Sequence, residues 1–162
     1  MCDTSGVSTL CHGDYKLNNV MAKEDNGKIS EVLPIDFQIL HYGCPLLDFI
    51  YFMFQGTDRE FRRKHLAYLK DLYYETMEAF LRRFEISIEN YFPRTEFEKK
   101  YKEKLDFGLM INTFYGPFLF ALEEDAPDVT TADLKTISFK VDDRFTERFR
   151  GIVDDFIEWG YI

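Results

Sequence analysis

Chain-breaking and cross-linking residues are scarce in this sequence. Its 162 residues include nine glycines, five prolines and three cysteines, Cys2, Cys11 and Cys44, with no C-x-x-C pair. So little Gly and Pro excludes collagen-like and low-complexity chains. An odd, scattered cysteine set argues for free thiols in a reducing compartment rather than a secreted disulfide framework. No run of about 18 apolar residues exists, so no transmembrane helix is expected. The start, MCDTSGVSTL, lacks the basic region and apolar stretch of a signal peptide. The expected location is cytoplasmic, with no membrane partner. Bases are also short: 20 Lys and Arg stand against 29 Asp and Glu, a net charge of −9. Nucleic-acid surfaces carry the opposite bias, so no nucleic-acid partner is expected.

What the chain has in quantity is aromatic rings, 17 Phe, 10 Tyr and one Trp. They imply a thick core, or an apolar pocket or interface beside one. A chain of this length buries about 70% of its unfolded surface and needs neither disulfides nor a metal to hold a core.

The order of elements reads as a small β part followed by helices. A strand is expected near Gly6–Leu10 and another at Val20–Ala22. Asn26-Gly27 is a hairpin turn signal, and Ile29–Ile35 is the return strand. Pro45 starts an apolar, buried helix through Phe54. Thr57 or Asp58 caps a long helix to about Phe84, with Phe61, Leu66, Leu69, Tyr73, Met77, Phe80 and Phe84 as its core stripe. Thr95 and Glu98 make a capping-box pattern for a third helix, expected to reach Tyr115 before Gly116-Pro117. Residues 123–133 hold five acids, Glu123, Glu124, Asp125, Asp128 and Asp133, and read as a solvated loop. A last helix spans about Asp143–Trp159, stopped by Gly160. The expected fold class is α+β and mostly helical.

The chemistry lies in His12-Gly13-Asp14-Tyr15-Lys16-Leu17-Asn18-Asn19, the hairpin, and Ile35-Asp36-Phe37-Gln38. Counting evenly outward from the turn sets Asn19 opposite Pro34 and Asp36 opposite Leu17. Two residues of strand are about 7 Å, so Asn19 and Asp36 emerge from one end of the hairpin, close enough to share an ion. A carboxylate and an amide oxygen are hard ligands and suit Mg²⁺ that takes its other ligands from water and phosphate. Asp14 sits on the loop entering the same end. Phosphoryl transfer needs this set: one carboxylate for the attacking hydroxyl, and an Asn and an Asp to hold magnesium. The protein-kinase pattern H-R-D-x-x-x-x-N followed by D-F-G assigns the same roles at the same spacing. Lys16 stands where some kinase loops place a lysine on the transferred phosphate.

These segments, LCHGDYKLNNVM and LPIDFQILHYGCPLLDFIYFMF, resemble the ecdysteroid kinase-like, or CHK kinase-like, family within the choline kinase and aminoglycoside phosphotransferase class. The family pattern is H-G-D-x-x-x-N-N, I-D-F-Q, then a G-x-P-x-x-D-L-x-Y-F-like stretch, met here by Gly43, Pro45, Asp48, Tyr51 and Phe52. The resemblance implies the C-terminal lobe of a protein-kinase-like fold, with ATP and Mg²⁺ as cofactors. Asp14 would be the catalytic base, with Lys16 beside it. Asn19 and Asp36 would be the metal ligands and, with Gln38, the cofactor-binding set. Asp48 would tie the catalytic loop to the buried helix. The reaction would carry phosphate to an alcohol of a small molecule, an ecdysteroid, another lipophilic alcohol or an amino-alcohol. Within a single lobe, residues 1–162, residues 1–40 would form the catalytic loop and hairpin, and 41–162 the helical part. The family's N-terminal nucleotide-binding lobe precedes the H-G-D motif. Eleven residues precede His12 here, so the chain is expected to be the C-terminal lobe alone.

Plainer readings stand beside these. His12 reads as a hydrogen-bonded structural histidine, and His41 and His65 have no partners at zinc spacing. Cys11 and Cys44 read as buried thiols. Ser5, Ser8 and Thr9 lie near His12, but no G-x-S-x-G accompanies them. Tyr68, Tyr73, Tyr74, Phe80, Phe107, Phe114, Tyr115 and Phe118 read mostly as core, with a subset for an acceptor pocket. Arg59, Arg62, Arg63 and Lys64 read as a solvated helix face. Against the kinase stand two alternatives: an inactive kinase-like fragment serving as a binding or interaction module, and a small-molecule-binding protein that keeps only an aromatic pocket.

Overall fold

The computed structural model describes residues 6–122, 124, 138 and 140–162. Cys2, Ser5 and the acidic segment other than Glu124 lie outside these residues. The architecture is α+β and mostly helical, with two small antiparallel sheets. The chain divides into two compact units, Met1–Gly108 and Leu109–Ile162.

In the first unit, strand β1 (Thr9–Cys11) and strand β4 (His41–Gly43) pair antiparallel, with Cys11 opposite His41. Between them in sequence, β2 (Val20–Asp25) and β3 (Lys28–Pro34) form the expected hairpin. Asn26 and Gly27 adopt φ of 53° and 76°, the paired left-handed residues of a type I′ turn. Even counting from that turn fails by one residue. Glu24 faces Ile29 but Lys23 faces Glu31, so Ser30 is a bulge. Its hydroxyl donates to Asp25 Oδ2 at 2.7 Å. Val20 therefore faces Pro34, and the Ile35 N–H donates to Asn19 O at 2.9 Å. The bulge brings Asp36 one residue nearer Asn19 than even counting gives.

Helix α1 (Leu46–Gly56) follows Pro45 and buries Leu46, Ile50, Tyr51, Met53, Phe54 and Gln55. Helix α2 (Arg59–Arg82) is capped by Asp58, whose carboxylate accepts from the Phe61 N–H at 2.8 Å. Its expected core stripe is only partly right. Phe61, Phe80 and Phe84 are exposed, while Arg62 and Tyr74 are buried. Arg62 is 1% exposed, donates to Thr57 O at 2.7 Å and lies 5.1 Å from the centre of the Phe54 ring. Apolar periodicity scores an arginine as surface, so it turns the packing face the wrong way.

The capping box does not form. Pro93 occupies the cap position of helix α3 (Arg94–Lys104), Thr95 lies inside the helix, and Glu98 accepts from Arg94 and Lys70. The single helix expected to Tyr115 is interrupted at Leu105 and resumes as α4 (Asp106–Phe114) and α5 (Gly116–Leu119). Gly108 permits close approach: a Cβ there would lie 2.7 Å from Phe54 Cδ2. The core of this unit holds Ile50, Met53, Phe54, Tyr74, Ile88, Phe92, Phe97 and Tyr101.

The second unit centres on α6 (Asp143–Glu158), capped by Asp142, which accepts from the Arg144 N–H at 2.7 Å. Ile152, Asp155 and Phe156 are buried, and Gly160 at φ 73° ends the helix as expected. Phe145 packs on Phe149 and Phe120, at 5.6 and 6.0 Å between ring centres. No helix among the described residues is long and apolar enough to cross a membrane.

Candidate active site

One turn of α1 holds the loop after β1. Asp48 accepts from the backbone N–H of His12 at 2.6 Å and of Gly13 at 2.9 Å. Three residues on, and so on the same helix face, Tyr51 donates its hydroxyl to Asp14 Oδ1 at 2.8 Å. A carboxylate and a phenol in an otherwise apolar run thus take residues 12, 13 and 14 in order. Gly13 must be glycine: its φ is +86°, and a Cβ there would lie 2.5 Å from the Ile39 carbonyl oxygen.

The His12 ring is a brace. Its Nε2 meets Ile35 O at 2.9 Å, and its Nδ1 accepts from the Asp14 N–H at 3.3 Å. A carbonyl accepts and a backbone amide donates, which places the ring N–H on Nε2. Phe37 packs on this ring at 4.7 Å between centres, and Tyr15 packs at 5.4 Å.

Asp14 is buried and receives three donors. Lys16 Nζ and Asn19 Nδ2 reach Oδ2 at 2.7 and 2.9 Å, and Tyr51 reaches Oδ1. Burial pushes its carboxyl pKa up, but the hydrogen bonds of Lys16, Tyr51 and Asn19 and the Lys16 charge outweigh burial and hold it below the ordinary 3.8. The group is an anion at neutral pH. A carboxylate has about four lone-pair sites. Two on Oδ2 and one on Oδ1 are taken, which leaves one Oδ1 site open.

Asn19 closes a short 3₁₀ turn, Leu17–Asn19, at the mouth of the hairpin. Its Nδ2 donates at 2.9 Å to both the backbone oxygen and Oδ2 of Asp14. Both neighbours are acceptors, so the amide cannot be flipped, and Oδ1 is the end left for a ligand. Asp36 lies one residue beyond the Ile35–Asn19 bond. It is exposed, with φ +65°, and among the described residues its carboxylate meets only the Gln38 amide, at a long 3.4 Å. A left-handed non-glycine residue is a strained position of the kind found at functional sites.

The structure therefore gathers Asp14, Lys16 and Asn19 through direct bonds, and sets Asp36 and Gln38 on the strap that follows β3. Tyr51 is the residue that motif reading left without a role. Its signal was its place three residues after Asp48 in an apolar helix. Cys11 is buried and bonds to Cys44 O at 3.4 Å; burial, then the nearby Asp48 charge, raises its pKa. Cys44 is only half-buried. Of the basic cluster, Arg59, Arg63 and Lys64 line an open cleft of about 580 Å³ with Glu60, while Arg62 is core rather than solvated. Of the aromatics considered for a pocket, Tyr68, Phe80, Phe114 and Tyr115 are exposed. No group of three His, Cys, Asp or Glu side chains stands together among the described residues.

The ecdysteroid kinase-like family profile matches residues 2–86, which include every residue of this site. No curated protein and no solved structure matches the chain.

Proposed function

Because the chain belongs to the ecdysteroid kinase-like family, we propose that its site transfers the terminal phosphoryl group of ATP to a hydroxyl of a small, lipophilic alcohol. The observation that carries this reading is the Asp14 carboxylate, ionised, fixed by three donors and left with one open lone pair. Asp14 would accept the hydroxyl's hydrogen bond and then its proton. As an anion held below the ordinary carboxylate range it is a weak base, so its main contribution is orientation, as phosphoryl transfer with a loose transition state requires. Lys16 brings a positive charge to the same oxygen and would offset charge on the transferred group. Asn19 Oδ1 and the Asp36 carboxylate are hard oxygen donors and fit Mg²⁺. Bound Mg-ATP would supply the phosphoryl group and the metal's neutralising charge. Gln38 would steady Asp36.

The hairpin supports a further part of this reading. Met21, Ile29, Val32 and Leu33 are exposed. Two strands alone are marginal in water, and an N-terminal nucleotide-binding lobe would cover such side chains. The same exposure favours the second reading, an inactive lobe that binds a partner.

Calorimetry with Mg-ATP separates the two. The control is Asp36→Gly, since glycine takes φ +65° without strain and the variant should fold at least as well as the parent. Magnesium-dependent binding that Asp36→Gly abolishes, followed by phosphate transfer to steroid or amino-alcohol acceptors, supports the kinase. A folded chain that ignores Mg-ATP would show that this polypeptide is not itself a working kinase.

A further inference from the structure

Helix α2 carries a second apolar stripe that its core does not use. Phe61, His65, Tyr68 and Leu72 recur at steps of four, three and four, and Ala79 continues the line two turns on. This stripe lies away from the buried Arg62 and Tyr74. Phe61 is 40% exposed, Tyr68 62% and Leu72 42%. Phe61 and His65 already stack on one another, 4.7 Å between ring centres. Lys64 and Glu75 flank the stripe on the same side, near its two ends, and neither has an ion-pair partner among the described residues.

We propose that this stripe is a self-association surface, on which α2 packs antiparallel against α2 of a second copy about a two-fold axis near residue 70. The charges select that occupant and direction. In an antiparallel two-fold pair each flank of a helix faces itself. Lys64 then meets Glu75 of the second copy, twice over. The same axis sets Tyr68 against Leu72, bulky Phe61 against small Ala79, and His65 beside Glu75, which Lys64 also meets. A parallel pair fails, because Lys64 and Glu75 are 11 residues apart, about 16 Å along the helix. A 24-residue helix is about 36 Å long, so the seam is a single pair of helices with no second element behind it. A weak dimer is expected, with a Kd on the order of micromolar.

Sedimentation equilibrium of the full chain from about 5 to 500 μM tests this. The expected result is a monomer–dimer equilibrium that Tyr68→Glu weakens about tenfold or more. Lys64→Glu and Glu75→Lys should each weaken it, and the two together should restore it. All three side chains lie on the surface, so the variants should keep the parent's circular dichroism melt. If one does not, the others still decide the matter. The proposal is overturned by a chain that stays monomeric throughout, by a double swap that fails to restore the dimer, or by association that ignores α2. That last case would show as loss of the dimer in Met21→Ser with Val32→Ser on the hairpin, with Tyr68→Glu silent.

Discussion

Replacing Tyr51 by Phe tests the logic of the site with one atom. The ring stays, buried on α1 and 6.2 Å from the centre of the Phe107 ring, while the hydroxyl that donates to Asp14 Oδ1 is removed. A buried hydrogen bond to a charged acceptor is worth about 1.5–3 kcal/mol, so Tyr51→Phe should lose about that much unfolding free energy in urea at pH 7. In an Asp14→Ala background the hydroxyl has no carboxylate to serve. There the same change should be neutral within about 0.5 kcal/mol, or stabilising, because it removes a buried donor that lacks its partner. The coupling in this double-mutant cycle is thus about 2 kcal/mol, and it separates the pair from anything else the hydroxyl does. The sign with pH follows from Asp14. Tyr51 helps to lower the folded-state pKa, so its contribution is complete above the ordinary 3.8 and declines as pH falls through the lowered value. A coupling under about 0.3 kcal/mol at pH 7 would refute the claim that Tyr51 holds the Asp14 carboxylate.

Two other outcomes follow from the same loop. Gly13→Ala forces a side chain into the left-handed region and against the Ile39 carbonyl, 2.5 Å away; it should cost more than about 2 kcal/mol in a thermal or urea melt, well beyond the roughly 1 kcal/mol of conformational preference alone. Between pH 4 and 2 the parent should lose more stability than Asp14→Ala, since both chains share the depressed carboxyls of Glu98, Glu103 and Asp142 and only the parent adds that of Asp14; parallel acid-unfolding curves would count against that assignment.

How much of this was legible beforehand depended on whether the physics was local. The turn at Asn26-Gly27 was, because two left-handed residues need those types of side chain. The bulge at Ser30 was not. Nothing in KISEVLP marks which residue drops out of register, yet that slip brings Asp36 one residue nearer Asn19 along the hairpin. The α1 packing run was plain from its apolar residues. The α2 packing face was not, because the side chain that fills it most fully is Arg62, held by the Thr57 carbonyl just before the helix and by the Phe54 ring. The T-x-x-E pattern at Thr95 was a false signal. Pro93 is already set for the cap position, and Lys70 and Arg94 compete for Glu98 with full charges, against which a backbone N–H is the weaker donor.

The same contrast divides the site itself. Asp14 and Asn19 are buried, bonded to one another and tied through Tyr51 to the most buried helix of their unit. Their geometry is set by folding and needs no ligand. Asp36 stands on an exposed strap in a strained backbone conformation, and its fixed points are the Ile35 bond behind it and Phe37 against the His12 ring ahead. Residues on both sides anchor the backbone there, while the carboxylate has only the long Gln38 contact. The strain at Asp36 is thus sustained chiefly by its neighbours, since its own side chain makes one long, exposed hydrogen bond to Gln38. A group that gains little locally from its conformation, and would lose strain if it were glycine, presents an exposed carboxylate, which is what the proposed Mg²⁺ site would draw on.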